Sequence, residues 1–132
     1  MRISRSTGYG LLAVGYLAQH KDEGIILSQD ISQKYNIPLE YLLKILQQLV
    51  RANILRSKRG PRGGFILARP PKKVTLLEVM EAVEGPMIGQ LGLDEVAPRE
   101  AFANRAEEVY GKTTEQIRTL FAKVKLSDLL EA

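Results

Sequence analysis

A short segment near the middle of the chain, residues 57–67 (SKRGPRGGFIL), most constrains the fold. Gly and Pro separate two apolar runs there, which predicts short strands over 54–57 and 65–68 joined by a tight turn. The turn contains Lys58, Arg59 and Arg62, and no acid lies near enough in the sequence to pair with them. A hairpin with this much positive charge at its tip indicates a polyanionic partner. The alternative, a charged loop that contacts only solvent, is disfavoured because the turn follows a pair of helices.

Charge is distributed unevenly along the chain. Residues 1–73 contain 13 Lys and Arg and 4 Asp and Glu, whereas residues 74–132 contain 6 and 11, so the net charges of +9 and −5 add to +4. A basic first half joined to an acidic second half predicts a polyanion-binding module followed by a module with another role. We place the boundary near residue 85, which gives a first domain over 1–85 and a second region over 86–132.

Composition excludes several classes of protein. The chain has no Cys and a single His, so we expect no disulfide, metal site, iron–sulfur cluster or other cofactor. No apolar run is long enough for a membrane span and no signal peptide is visible, so we expect a cytoplasmic protein without a membrane partner. The chain offers no nucleophile–base pair, no Gly-rich phosphate loop and no paired catalytic acids, so we expect no enzyme activity.

Three helices are predicted before the hairpin, over residues 5–20, 29–35 and 38–52. Ser28 is a suitable N-cap for the second helix, and the fixed φ of Pro38 suits the first position of the third. Asn53 can adopt the left-handed conformation that ends the third helix. The spacing i, i+3, i+4, i+7 predicts its buried face, which consists of Leu42, Ile45, Leu46 and Leu49.

Two helices are predicted after the hairpin, over 75–84 and 99–125, with a loop over 86–98 between them. Thr75 and Glu78 have the spacing of a capping box. The long helix must cover its apolar face, either on its own small domain or on a second copy of the chain, and the second arrangement is favoured. Its predicted dimerisation residues are Phe102, Val109, Tyr110, Ile117, Leu120, Phe121 and Val124.

The order of these elements is that of a winged helix-turn-helix domain, so the expected fold is mainly α with a small two-stranded β wing and a long C-terminal dimerisation helix. The third helix would lie in the major groove of DNA, where Lys44 suits phosphates and Gln48 can pair with a base. The basic wing tip suits the narrow minor groove of A·T-rich sequence.

The sequence resembles the bacterial winged-helix regulators that include IscR, NsrR and CymR, a family often called Rrf-two. The resemblance lies in MRIS at 1–4, YLLKIL at 41–46, SKRGPRGGF at 57–65, LARP at 67–70 and TLLEVMEAVEG at 75–85. It implies a homodimeric transcription regulator, a repressor or an activator, that binds a pseudo-palindromic site in double-stranded DNA. The DNA contacts that it implies, together with Gln48 from the preceding argument, are Ser4, Arg5, Ser28, Pro38, Tyr41, Leu43, Lys44, Lys58, Arg59, Gly60, Pro61 and Arg62.

Two departures from the family pattern change what is expected. Family members that bind an iron–sulfur cluster use Cys in the segment corresponding to 86–108, which has none here, so we expect no cluster. Leu43 replaces the acidic residue of IscR and would contact a thymine methyl group rather than cytosine. The signal is then a small-molecule effector or a partner protein. Two alternative functions are a protein–protein adaptor, for which a basic wing is unsuitable, and a regulator that acts mainly through a partner enzyme.

Overall fold

The computed structural model describes residues 3–60, 63–87 and 89–130. It confirms the mainly α fold with a β wing and a long C-terminal helix. The helices are α1 (Arg5–Gln19), α2 (Ser28–Tyr35), α3 (Leu39–Arg51), α4 (Leu76–Glu84), α5 (Leu93–Val96) and α6 (Ala101–Lys123). The strands are β1 (Ile26–Leu27), β2 (Leu55–Lys58) and β3 (Gly64–Leu67). Among the described residues, none of the helices has the length and apolar character needed to span a membrane.

The wing contains a third strand that we did not predict from the sequence. The strand order is β1-β3-β2, all antiparallel, with Ile26 opposite Phe65 and Leu55 opposite Leu67. β1 has only two residues, too few for an alternating pattern to show in the sequence. Gly64 allows β1 to approach, because a Cβ atom there would overlap the side chain of Ile25. The wing is therefore fixed to the chain that enters α2.

The predicted buried face of α3 is confirmed, since Leu42, Ile45, Leu46 and Leu49 are all buried. Asn53 has the predicted left-handed conformation, with φ of 60°. Two predicted helix starts are shifted by one residue: Ser28 is the first residue of α2 instead of its N-cap, and Pro38 is the N-cap of α3. Ser28 is buried, and its backbone N–H donates to the Gly63 carbonyl at 3.2 Å, so the wing replaces a local cap.

The capping box of α4 is confirmed. Glu78 N donates to Thr75 Oγ1 at 3.1 Å, and Thr75 N donates to Glu78 Oε1 at 3.2 Å. Arg69 Nη2 pairs with Glu78 Oε2 at 2.5 Å, which ties the end of the wing to the same helix. The segment after α6 also joins α4: Leu76 N donates to Val124 O and Leu126 N donates to Val74 O, both at 2.8 Å.

One hydrophobic core connects these elements. Its fully buried side chains come from α1, α2, α3, α4 and the wing with its flanking residues, and include Leu17, Ile31, Leu46, Ile54 and Phe65. Leu126, beyond α6, is 4% exposed and belongs to the same core. The segment predicted as the loop 86–98 contains the short helix α5, which packs on α6. The segment after α6 therefore adds to the core that residues 1–85 form.

Candidate nucleic-acid interface

Two junctions assemble the candidate interface from separate elements. At the first, Tyr41 at the start of α3 shares a hydrogen bond with Ser6 of α1, and its ring packs edge-on against Tyr9 at a centroid distance of 5.7 Å. At the second, Ser28 at the start of α2 contacts Gly63, which lies in the wing turn directly before β3. The starts of α1 and α3 are thus held together, and the start of α2 is held against the wing.

The exposed face of α3 carries three of the predicted DNA contacts. Tyr41 is 42% exposed, Lys44 is exposed and Gln48 is half-buried. Pro38, immediately before the helix, is also exposed. These side chains recur at the spacing of one helix face, opposite the buried apolar face. The face is therefore accessible to a groove of DNA, with a cation and an amide available for phosphates and bases.

The wing tip is a strained, positively charged turn. Arg59 and Gly60 both have positive φ, 63° and 85°. The Gly60 carbonyl accepts hydrogen bonds from Ser57 Oγ at 3.0 Å and Gly63 N at 3.1 Å. Lys58, Arg59 and Gly60 are exposed. Pro61 and Arg62, predicted here as DNA contacts, lie outside the described residues. The left-handed backbone conformation is strained for a residue other than glycine. The turn therefore holds the exposed Arg59 at its tip at an energetic cost.

The exposed cations of this surface have no acidic partner among the residues that the structure describes. Within the described part of the chain, none of Lys44, Lys58 and Arg59 forms an ion pair. Arg5, at the start of α1, is exposed and also takes part in none of these pairs. Their charge is thus not neutralised by the described residues, which suits a surface that binds phosphates.

Two of the predicted direct contacts, Leu43 and Ser28, are buried in this structure. Leu43 is 7% exposed, and Ser28 is 2% exposed with its hydroxyl directed at the Gly63 carbonyl. Leu43 is covered because α3 packs against α1, α2, α4 and β2, which bury more of its circumference than one apolar stripe. Leu43 belongs to the hydrophobic core, and burial disfavours the predicted contacts of both side chains with DNA.

Ser4 is exposed, but its hydrogen-bond donors are used within the protein. Its backbone N–H donates to Glu84 Oε1 at 2.7 Å, and its hydroxyl donates to the same oxygen. Thr7 Oγ1, which is buried, donates there as well at 2.6 Å. The hydrogen bonds from Ser4 and Thr7 lower the pKa of Glu84. A phosphate contact by Ser4 would require exchange of this bond.

Sequence reasoning missed the roles of Ser6, Thr7 and Glu84. Ser6 directly follows the predicted contacts Ser4 and Arg5, so its position in the sequence could have indicated a role at the same surface. Glu84 lies 80 residues from Ser4, and no local pattern connects two such positions. Its only sequence signal was an acidic residue at the end of α4, where the helix dipole disfavours negative charge and a specific partner is expected.

The long helix presents two apolar stripes, one of which packs on its own chain. Phe102, Val109 and Leu120 are 84%, 51% and 63% exposed. The other predicted dimerisation residues, Tyr110, Ile117, Phe121 and Val124, are half-buried. The helix packs on α4, and Val124 accepts the Leu76 hydrogen bond. Part of the predicted dimerisation set therefore packs on its own domain, and the assignment of the seven residues to one dimer surface stays a prediction.

The segment 86–108 does not fit an iron–sulfur cluster. The whole chain lacks Cys, and the described residues contain no group of three or more His, Asp or Glu placed to bind a metal. Hydrogen bonds within the protein hold this segment. The Glu107 carboxylate accepts from Leu91 N at 3.1 Å and from Leu93 N at 2.7 Å, and these two bonds lower the pKa of Glu107. A carboxylate thus holds the loop against α6.

A winged helix with a basic third helix and a basic wing tip is typical of DNA-binding regulators. The chain belongs to the Rrf2 family, described as iron-dependent transcriptional regulators, which it matches over residues 3–132. It is a DNA-binding transcription regulator of this type and not an enzyme.

Three known proteins illustrate the similarity. The chain is 38% identical to the HTH-type transcriptional regulator BadM of Rhodopseudomonas palustris, over 99% of this chain and 82% of that protein. The structure of CymR, the global cysteine regulator of B. subtilis, has a TM-score of 0.78 and 28% identity, covering 98% of this chain and 95% of that one. IscR of T. potens has a TM-score of 0.73 and 25% identity, covering 98% and 85%.

Proposed function

We propose that the protein is a homodimeric repressor that binds a pseudo-palindromic DNA operator without an iron–sulfur cluster. Residues 1–85 bind DNA, and residues 86–132 form the dimer and receive the signal. The signal is a small molecule or a partner protein. The observation that carries this proposal is the set of exposed cations on adjacent elements, Arg5, Lys44, Lys58 and Arg59, that form no ion pair with any described residue.

The positions of these cations support two kinds of DNA contact. Lys44 and Gln48 lie on a helix whose diameter fits the major groove. Arg59 lies at the tip of a thin hairpin that fits the narrower minor groove, where its charge is attracted by the enhanced negative potential of A·T-rich sequence. Phosphate contacts provide affinity that falls with salt, and the helix and wing provide sequence preference.

The exposed stripe of α6 supports the dimer. Phe102, Val109 and Leu120 recur at intervals of 7 and 11 residues on one face, and Phe102 is 84% exposed. Exposed large apolar residues aligned along one helix face are typical of an interface. Pairing of this face with its copy is isologous, so a two-fold axis would relate the two wings and the two recognition helices to two half-sites of an operator.

The decisive experiment is selection of genomic fragments by the purified protein at two salt concentrations, followed by sequencing of the bound DNA. We expect a two-fold symmetric, A·T-rich motif that persists at the higher salt. Unrelated fragments that are lost at the higher salt would show only nonspecific binding and would contradict the proposal.

Sedimentation analysis tests the dimer separately. Leu120→Glu places a charge in the exposed stripe and should shift the protein towards monomer. Ala122→Glu places the same charge on an exposed residue on the opposite side of the same helix and is the matched control. A Leu120→Glu protein that remains as dimeric as the control would rule out this interface.

A further inference from the structure

A cavity of about 310 Å³ lies between α4, the segment that follows it and α6, beside the chain that enters α1. Ile3, before α1, and Met80 and Met87, in and after α4, line one part of it. Tyr110 and Ile117 of α6 line another part. The volume is within the range of pockets that bind small molecules, and its lining is mostly apolar. The cavity can therefore hold a small molecule with an aromatic or aliphatic body.

The polar groups of the cavity mainly accept hydrogen bonds. Thr113 Oγ1 donates to Val109 O at 2.8 Å, and Thr114 Oγ1 donates to Tyr110 O at 2.9 Å, so both hydroxyl hydrogens are used within α6. Glu84 lines the cavity and only accepts. Among the lining side chains that the structure describes, the Tyr110 hydroxyl is the one donor not already used. This lining favours a ligand that donates hydrogen bonds.

Glu84, which is exposed to solvent, adds a negative charge to the rim of the cavity. Its Oε1 atom receives the hydrogen bonds of Ser4 and Thr7, whereas no described residue donates to Oε2. A carboxylate ligand would be repelled, and an ammonium group would form a charge-assisted hydrogen bond. The chemistry therefore selects a cation over an anion of the same size.

We infer that this cavity is an effector site for a small, largely apolar amine, and that Glu84 couples the site to DNA binding. An ammonium group bound at Oε2 draws the carboxylate towards the cavity and weakens its hold on Ser4 and Thr7. The start of α1, next to Arg5 and the Ser6–Tyr41 contact, then loosens, and affinity for the operator falls. This effect on DNA rests on the proposed function, whereas ligand binding does not.

Titration calorimetry of the full chain with 2-phenylethylamine tests the site without DNA, and 3-phenylpropionate is the anion of similar size and shape. We expect one amine per chain and binding of the anion at least about tenfold weaker, given the strength of a charged hydrogen bond. No saturable binding of the amine, or equal binding of both compounds, would overturn the inference.

Two variants locate the binding. Met87→Trp fills the cavity and should abolish amine binding while leaving operator binding intact. Glu84→Gln removes the charge and should weaken amine binding about tenfold. Glu108→Gln makes the same chemical change on the exposed side of α6, outside the cavity lining, and should bind the amine like the native protein. If Glu84→Gln binds the amine as tightly as Glu108→Gln does, Glu84 is not the recognition group and the inference is wrong.

Operator binding with and without the amine tests the coupling. We expect the amine to weaken operator binding by the native protein and to leave the Met87→Trp protein unaffected. If the native protein binds the amine but binds no operator, the proposed function is wrong and the cavity assignment stands. Operator binding without any amine binding would remove only the cavity assignment. Amine binding that leaves operator affinity unchanged would overturn the coupling.

Discussion

Arg118 of α6 binds Glu81 of α4 through two hydrogen bonds, Nη2 to Oε1 at 3.1 Å and Nε to Oε2 at 3.2 Å. Burial acts to raise the pKa of Glu81, but the Arg118 guanidinium and the Met87 N–H outweigh it, so the pKa is lowered. The pKa of Arg118 is raised by the same pair. This two-pronged geometry is the more specific form of ion pair, and it joins α6 to the domain that carries the wing.

Removing this pair should loosen α6. In Glu81→Gln, the guanidinium loses its charged partner, so we expect faster amide hydrogen exchange around Arg118 and a lower thermal midpoint. Lys112→Gln removes an exposed pair with Glu108 on the same helix, whose N–O distance is 3.1 Å, and should change neither measurement, because exposed pairs contribute little. Equal effects of the two variants would show that the Glu81 pair does not attach the helix.

Stability should fall in acid. The pKa of Glu78, Glu81 and Glu84 is lowered from the ordinary value of 4.5 in each case. For Glu78, burial opposes the shift, and the hydrogen bond of Arg69 and those of Thr75 exceed it. A carboxyl group with a lowered folded-state pKa binds protons less well than the unfolded chain does, so its stabilisation is complete above pH 4.5 and is lost as pH falls through the folded-state pKa.

Urea unfolding between pH 7 and pH 3 measures this dependence. We expect a constant free energy of unfolding near neutrality and a steep decrease below about pH 4.5. In Glu78→Gln the decrease should be shallower, because one of the linked protons is removed. A free energy that is independent of pH across the acidic range would contradict the assigned pairs.

Replacement by alanine should change the free energy of unfolding differently at the three glycines of α1. A Cβ atom at Gly8 or Gly15 meets nothing within 4 Å, whereas at Gly10 it lies 3.0 Å from Val83 Cγ2 of α4. Gly8→Ala and Gly15→Ala should each raise the free energy of unfolding by about 0.5–1 kcal/mol, because alanine loses less backbone entropy in a helix. Gly10→Ala should not, since it pushes α1 from α4. Stabilisation by all three would contradict the close packing of these helices.

The wing tip should contribute affinity and selectivity for DNA. Arg59→Ala should weaken operator binding by roughly 1–3 kcal/mol and relax the preference near the groove that the wing enters. Fluorescence titration with operator and random duplexes measures both effects. Lys112→Ala, on α6, should change neither. An equal loss on both duplexes would mean that Arg59 contacts phosphates without reading the sequence.

Local signals predicted much of this fold. The Thr75–Glu78 capping box, the buried stripe of α3 and the left-handed Asn53 depend on residues a few positions apart, and each is confirmed. The two-residue strand β1 and the burial of Leu43 depend on what packs against these residues from elsewhere in the chain. The periodicity of apolar residues and the secondary-structure propensity of each residue carry no information about such contacts.

The candidate site divides in the same way. The cations of the wing were visible in the sequence as charges without a nearby acid, and Lys44 was visible as a cation on the polar face of α3. The Ser4–Glu84 bond and the cavity beside it were not, because they bring together residues from both ends of the first domain. The two faces of α6 were also merged in the sequence reading, since Val109 and Tyr110 are adjacent in the chain but lie on different stripes.

The anchoring of Leu126 in the core has a mechanical consequence. The chain that leaves α6 pairs with Val74 and Leu76, and Arg118 binds Glu81 from the C-terminal third of the helix, so this end of α6 is fixed to the domain that carries the wing. In a dimer formed through the exposed stripe of α6, a small change in the angle between the two α6 helices would change the distance between the two recognition helices. Operator spacing would then measure that angle.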